Sequence, residues 1–338
     1  MKKQIFLIIA IIPLIIYAKQ NKPFWPSPPE PTRVTYESSI TKAEDLKIKK
    51  GFFTKVWEFF AGEDKKRLIK PFGLHIDDDD IIYISDIALK NVFIFDRKQG
   101  KKFYITGSDK EPFLSPMDID TDKKGNIYIS DSVRGFVYIF NKNGKYVGKI
   151  GDKKILKRPV GIAVNSNTNQ IYIVDTLNSN IQLFSLDAKH LKTIGRPGTK
   201  NGEFNKPTYM SIDKNGDLYI CDTMNHRIQI FDKNGKYLRK FGKIGNSIGT
   251  FANPRGIDID QNGYIFVSDT TFHTVQIFNK QGKLMLVFGN YGENVGEFAI
   301  PEDLAISKND KLYVADSYNM RVQVFKLSTK DEKDQSKK

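Results

Sequence analysis

An all-β ring of six four-stranded antiparallel blades, a six-bladed β-propeller, is the fold that this 338-residue sequence predicts, on three observations. One pattern occurs six times: "YISDIALKNVFIF" (83–95), "YISDSVRGFVYIF" (128–140), "YIVDTLNSNIQLF" (172–184), "CDTMNHRIQIF" (221–231), "FVSDTTFHTVQIF" (266–278) and "YVADSYNMRVQVF" (313–325). Its aspartates, Asp86, Asp131, Asp175, Asp222, Asp269 and Asp316, step by 45, 44, 47, 47 and 47 residues, the size of one blade. Within each copy the apolar period is two, and turn signals such as "DKNGD" (213–217) and "NKNGK" (141–145) separate the runs. Closing six such units into a ring removes the bare sheet edges that an open array would leave.

The N-terminus comes first. Lys2 and Lys3 precede an apolar run from Ile5 to Tyr17, with Ala18 as the cleavage point. That run is short for a membrane span and suits a signal peptide, with an uncleaved anchor as the alternative reading of residues 1–18. Either way the expectation is an exported protein, periplasmic or extracellular. Residues 19–31 hold five prolines from Pro23 to Pro31 and read as a stiff polyproline linker. "TRVTYESSI" (32–40) resembles the fourth strand of a blade, "GKYVGKIG" (144–151), whereas no such strand follows Phe325. Residues 32–40 are therefore expected to close the ring by completing the sixth blade. The insertion 41–69 carries Phe52, Phe53, Val56, Trp57 and Phe60, an amphipathic helical spacing. The repeats fill 70–328, and 329–338 is a charged tail.

Inside each repeat, a proline (Pro71, Pro116, Pro159, Pro207, Pro254, Pro301) precedes the aspartate. Three residues before each proline stands an apolar side chain: Leu68, Phe113, Leu156, Phe204, Phe251 or Phe298. Cys221, Asp222 and His226 together look like a zinc cluster until the copies are aligned. The Cys221 column otherwise holds Ser85, Ser130, Val174, Ser268 and Ala315, all small, which points to close packing. Six copies of one aspartate are expected to accept backbone N–H bonds rather than to act as acids. The chain has one cysteine and so no internal disulfide; stability must come from the core.

The recurring "P-x-G-I-x-x-D … D-[ST]-x-N-x-R-[IV]-Q-x-F … G-K" is similar to the NHL repeat, most closely in "DTMNHRIQIFDKNGK" and "DSYNMRVQVF". The resemblance covers Lys70 to about Leu327 and implies a six-bladed propeller of the bacterial exported type. Repeats one and two depart from it: "DIALKN" and "DSVRGF" lack the asparagine.

Net charge is +14, and +12 without residues 1–18, which allows nucleic acid as a partner. The export signal and the placing of Lys233, Lys236 and Lys280 in hairpin turns argue against it. Six-bladed propellers also include metal-dependent lyases and lactonases, but a shared histidine column exists only for His226 and His273. No Ser-His-Asp set or phosphate loop is evident. No cofactor is expected; Ca2+ in the central channel is the alternative, because Asp118 and Asp303 replace the glycine of Gly73, Gly161 and Gly256. The leading expectation is a monomeric, non-catalytic interaction module that binds an envelope protein, peptide or glycan, with membrane contact only through residues 1–18. Its binding residues are expected on the face of the Asp-[ST] loops: Arg255, Glu302, Asp303, Asp118, His226, His273 and Trp57.

Overall fold

The computed structural model describes residues 22–27, 30, 33–46 and 66–328. The apolar run 1–18, the helical stripe of residues 52–60 with Trp57, and the tail 329–338 lie outside the described residues. Among the described residues no helix is long and apolar enough to cross a membrane.

Two strands precede the repeats, β1 (Phe24–Trp25) and β2 (Val34–Ile40). Blade one is β3 (Pro71–Ile76), β4 (Ile82–Asp86), β5 (Asn91–Asp96) and β6 (Lys101–Ile105). Blade two is β7 (Pro116–Thr121), β8 (Ile127–Asp131), β9 (Phe136–Phe140) and β10 (Tyr146–Ile150). Blade three is β11 (Pro159–Asn165), β12 (Gln170–Asp175), β13 (Asn180–Ser185) and β14 (His190–Ile194). Blade four is β15 (Met210–Ile212), β16 (Leu218–Asp222), β17 (Arg227–Phe231) and β18 (Tyr237–Phe241). Blade five is β19 (Pro254–Ile259), β20 (Ile265–Asp269), β21 (Thr274–Phe278) and β22 (Leu284–Phe288). In blade six, β23 (Pro301–Ser307), β24 (Lys311–Asp316) and β25 (Arg321–Leu327) are followed in the sheet by β2 and then β1.

The ring thus shuts with the chain's own N-terminal strand. β2 runs antiparallel to β25, from Val34 opposite Leu327 to Ile40 opposite Val322, and both ends of β2 are buried. The proline-rich segment departs from the free spacer expected of it. Phe24–Trp25 pairs with Val34–Thr35, and the Trp25 ring lies 5.1 Å from Phe288 and 6.0 Å from Phe325. The extended backbone that prolines favour is kept, and the half-buried indole holds the segment against the sheet.

Each repeat aspartate is fully buried at the end of the second strand, and each is met by four donor groups. Asp131 accepts from the amides of Leu114 and Ser115 before the inner strand and of Val133 and Arg134 in the loop after it. Asp86 and Asp269 do the same in their blades. In blades four and six side chains replace the loop amides: Asn225, Arg227 and Gln229 donate to Asp222, and Asn319, Arg321 and Gln323 to Asp316. Repeats one and two, which lack that asparagine, lose nothing in count.

The apolar residue ahead of each proline is buried under the joint between blades. Phe251 sits against Gly242, whose φ is +86° and where an added Cβ would lie 2.5 Å from the phenyl ring. The hairpin turns follow their sequence too. In "DKNG" the Asp232 carboxylate accepts the amides of Asn234 and Lys236, and Gly235 takes a φ of +73°.

Two faces result. One carries the loops after the aspartates and the links between blades (the loop face); the other carries the hairpins between strands one and two and three and four (the turn face).

Two outcomes are expected. Asp131→Ala orphans four donors and should cost roughly 4 kcal/mol or more in urea unfolding, with Asp131→Asn milder; a loss below 1 kcal/mol would refute the role. Trp25→Ala should lower stability by about 2 kcal/mol while leaving a monomer. Deletion through Ile40 bares β25 and should produce aggregation on size exclusion.

Candidate functional site

The channel is built from the six inner strands, aligned from their prolines. Immediately after the proline come Phe72, Met117, Val160, Thr208, Arg255 and Glu302. Next come Gly73, Asp118, Gly161, Tyr209, Gly256 and Asp303, alternately glycine and bulky around the ring. The glycines have no room for a side chain. A Cβ on Gly73 would lie 2.1 Å from the Met117 carbonyl oxygen, on Gly161 2.5 Å from that of Thr208, and on Gly256 2.6 Å from the Asp303 Cα. Only blades two, four and six therefore send side chains toward the axis at this level.

Tyr209 closes the channel. Its ring reaches Phe72 of the opposite blade at 6.4 Å between centroids, and both pack in one apolar cluster with Met117 and Val160. Above them Arg255 lies over Phe72 at 5.4 Å and 3.0 Å from Glu302. This ion pair is a charge contact without hydrogen-bond geometry, since the Arg255 Nε and Glu302 Oε2 are both buried without a hydrogen-bond partner. The loop-face mouth, expected to be the binding concavity, is a packed layer.

Beneath this layer is a well that opens on the turn face. Its inner part, about 320 Å³, is walled by Asp118, Asp303, Tyr209, Asp120, Asp258 and His75 among others. It widens into a vestibule of about 550 Å³ among the turns at 77–79, 122–125, 165–168 and 213–216.

The axial carboxylates staple neighbouring inner strands. Asp118 accepts from the Ile162 amide, Asp303 from Leu74, Asp120 from Val164, and Asp258 from Ile306 and the Ser211 hydroxyl, each on an adjacent blade. Burial, then the charge of Asp303, pushes the Asp118 carboxyl well above the ordinary range. Asp303 is raised in the same way by burial and then by Asp258 and Glu302. Burial also raises Asp120, Asp258 and Glu302.

The calcium alternative does not fit. Among the described residues no three His, Cys, Asp or Glu side chains converge to hold a metal ion. His226 and His273 do not form a pair either. Each occupies a left-handed loop position, at φ of 53° and 56°. His226 Nδ1 meets the Ala252 carbonyl at 2.8 Å, while His273 Nδ1 accepts the Ile300 amide at 3.1 Å. Each imidazole thus reaches forward to the next blade. Cys221 is buried in the core, its thiol pushed up by burial. Trp57 lies outside the described residues.

One arrangement escaped the sequence. His75 Nδ1 lies 3.4 Å from Asp120 Oδ1, and its Nε2 lies 2.9 Å from the Thr121 hydroxyl. The order is carboxylate, imidazole, hydroxyl, on two adjacent inner strands. Tyr209 also escaped, although its column, alternating glycine with a large residue, carried the signal.

Blades, aspartate loops and axial well define a six-bladed propeller with NHL repeats, and residues 298–325 match the NHL repeat. The chain belongs to the SMP-30/gluconolactonase/LRE-like region family, which matches residues 71–251, more than half of its length. No curated protein matches the sequence. Among solved structures it is similar to a streptogramin B lyase, with 13% identity, 77% of this chain and 94% of that chain covered, and a TM-score of 0.59. It is similar also to an auxiliary nutrient binding protein from Bacteroides thetaiotaomicron, at 12% identity, 76% and 69% coverage, and a TM-score of 0.61. A chain of a nidogen/laminin complex gives 18%, 66% and 83%, and 0.55. Identities this low establish a shared fold.

The raised carboxyl of Asp303 has a consequence for stability. The folded protein holds a proton that the unfolded chain releases, so stability falls as pH climbs from the ordinary carboxylate range through the raised value. Asp303→Asn keeps an oxygen for the Leu74 amide and removes the charge. It should raise Tm by about 2 °C or more at pH 7.5 and leave it unchanged at pH 4; a lower Tm at pH 7.5 would show that the charge itself is required.

Proposed function

We propose that this protein is an exported, non-catalytic ligand-binding propeller whose ligand enters the axial well from the turn face. The observation that carries this reading is the well itself: blind, polar, and built from all six blades. A small ligand needs convergent, chemically distinct groups in a concavity, and these lie here rather than at the packed loop-face mouth. The fold shared with a nutrient binding protein is in keeping with it. The loop-face side chains Val133, Leu177, Met224 and Tyr318, each half exposed or more, offer a separate surface for an envelope protein, peptide or glycan.

The test is a thermal-shift screen of the mature protein against sugars, sugar acids, amino acids and amines. Ala163→Phe and Ala305→Phe fill the well from opposite blades and should abolish any shift, whereas Arg255→Glu should not. Shifts that survive both fillings and vanish with Arg255→Glu would move the site to the loop face. N-terminal sequencing of protein taken from the envelope checks the export.

A second reading rests on His75. The Asp120–His75–Thr121 order is one that activates a hydroxyl, and the family name includes a lactonase. If the chain hydrolyses lactones, Thr121→Val and His75→Gln should each lower the rate about a hundredfold or more without changing Tm.

A further inference from the structure

The protein carries net charge +14, yet the inner well is lined by five aspartates, Asp78, Asp118, Asp120, Asp258 and Asp303, with His75 and no lysine or arginine. Bringing carboxylates together in a buried channel is unfavourable unless protons or a counter-charge meet them, and a cation that enters takes the place of the protons. A metal ion is the wrong shape for the task, because no three of these groups converge on one point. They are instead spread along the axis in two tiers. Asp118 and Asp303 stand at the floor, and Asp120 and Asp258 are two strand residues nearer the opening, a separation of about 7 Å.

A second observation marks the floor. Tyr209 lines the same cavity and is 2% exposed, and its buried hydroxyl, at the level of Asp118 and Asp303, has no hydrogen-bond partner. A buried hydroxyl without a partner is rare and costly. Here it marks the closed end of a tube already rich in acceptors. The complement of such a tube is a narrow ligand with cationic N–H donors at both ends and an aliphatic stem between. Ile76, Val164, Ile212 and Ile306 line the same cavity one strand residue nearer the opening than Asp120 and Asp258 and keep its wall apolar there.

We propose that the axial well binds a linear aliphatic diamine or triamine, with one ammonium between Asp118 and Asp303 and another between Asp120 and Asp258. The proposal rests on the reading of the well as the ligand site and assigns its chemistry. The two tiers are spaced as the ends of an extended four-carbon diamine are. The mouth suits the same charge: aspartates 77, 78, 79, 122 and 213 line the vestibule beside Lys123, Lys214 and Lys233.

Isothermal titration of the full chain tests this with 1,4-diaminobutane, spermidine, n-butylamine, calcium chloride and glucose. Both polyamines should bind one to one, and n-butylamine at least about tenfold more weakly, having lost one charged contact. Asp258→Asn should weaken diaminobutane by about tenfold or more. Should that variant fail to fold, Asp78→Asn keeps the test open, since among the described residues the Asp78 carboxylate pairs with exposed Lys308 alone, and it should weaken binding more mildly. No binding of diaminobutane at millimolar concentration overturns the proposal, as does calcium binding that Asp258→Asn abolishes. Glucose binding lost in Ala163→Phe, with amines silent, refutes the amine assignment and leaves the well as the site. Diamine binding that persists undiminished in Ala163→Phe removes both.

Discussion

Every blade hangs on one buried carboxylate. An aspartate in a dry interior is costly unless it is fully hydrogen-bonded, and four donors per carboxylate meet that condition in each of the six repeats. The donors come from two places that must otherwise find each other, the link before the inner strand and the loop after the second strand. The aspartate therefore fixes where the chain enters a blade and where it turns back. Arg227 extends the same knot: its guanidinium joins Asp222 to the carbonyls of Thr199, Lys200 and Glu203, spanning the link between blades three and four. Blades one, two and five, with Leu89, Arg134 and Phe272 where the pattern has asparagine, reach the same count with backbone amides of the link and the loop, which is why this departure leaves the ring intact.

With the entries fixed, the inner strands approach closely, and their side chains must be rationed. Ser85 and Ser130 show how close: each hydroxyl, buried, donates to an inner-strand carbonyl of the next blade, that of Met117 or Val160. Glycine in blades one, three and five is the residue that such proximity allows, leaving the axis to Asp118, Tyr209 and Asp303. A tyrosine in that set makes a plug, and two aspartates below a plug make a blind acidic chamber. The well is thus a consequence of the same close packing that the blade aspartates impose.

How much of this the sequence carried depends on whether a feature repeats. Asp222, Phe251 and the "DKNG" turns have six or nearly six parallel copies, so comparison within the chain separates their structural role from chance. It also disposed of the zinc cluster at Cys221. Trp25 has no copy, and nothing in "PFWPSPPEP" shows that its indole will find the groove beside Phe288. The orientation of the axial residues was hidden for another reason. Every inner strand that begins at its proline shifts register in its first residues, between Pro71 and Leu74 in blade one and between Pro301 and Leu304 in blade six. Such a bulge re-aims side chains out of the two-residue alternation. Arg255 and Glu302 were therefore read as lining a mouth when they cover a packed layer, and His75 and Thr121 could not be seen to meet.

The same amino acid does two jobs at two radii, and the number of donors decides which. At the end of the second strand, four hydrogen bonds leave the carboxylate little to offer a ligand. On the axis, Asp118 holds the amides of Ile119 and Ile162, Asp120 those of Thr121 and Val164, so each is anchored with acceptor capacity to spare. Anchoring by a neighbouring strand's amide also fixes the direction in which the remaining lone pairs point, the preorganisation that a binding group requires. The lysines that make the chain basic lie in hairpin turns such as Lys236 and Lys280, toward solvent, where water and salt screen them. Titratable groups are thus sorted by depth: basic and screened outside, acidic along the axis, where burial favours the protonated form. The inner well presents no lysine or arginine, so the net charge of the chain does not describe the charge that its axis can accommodate.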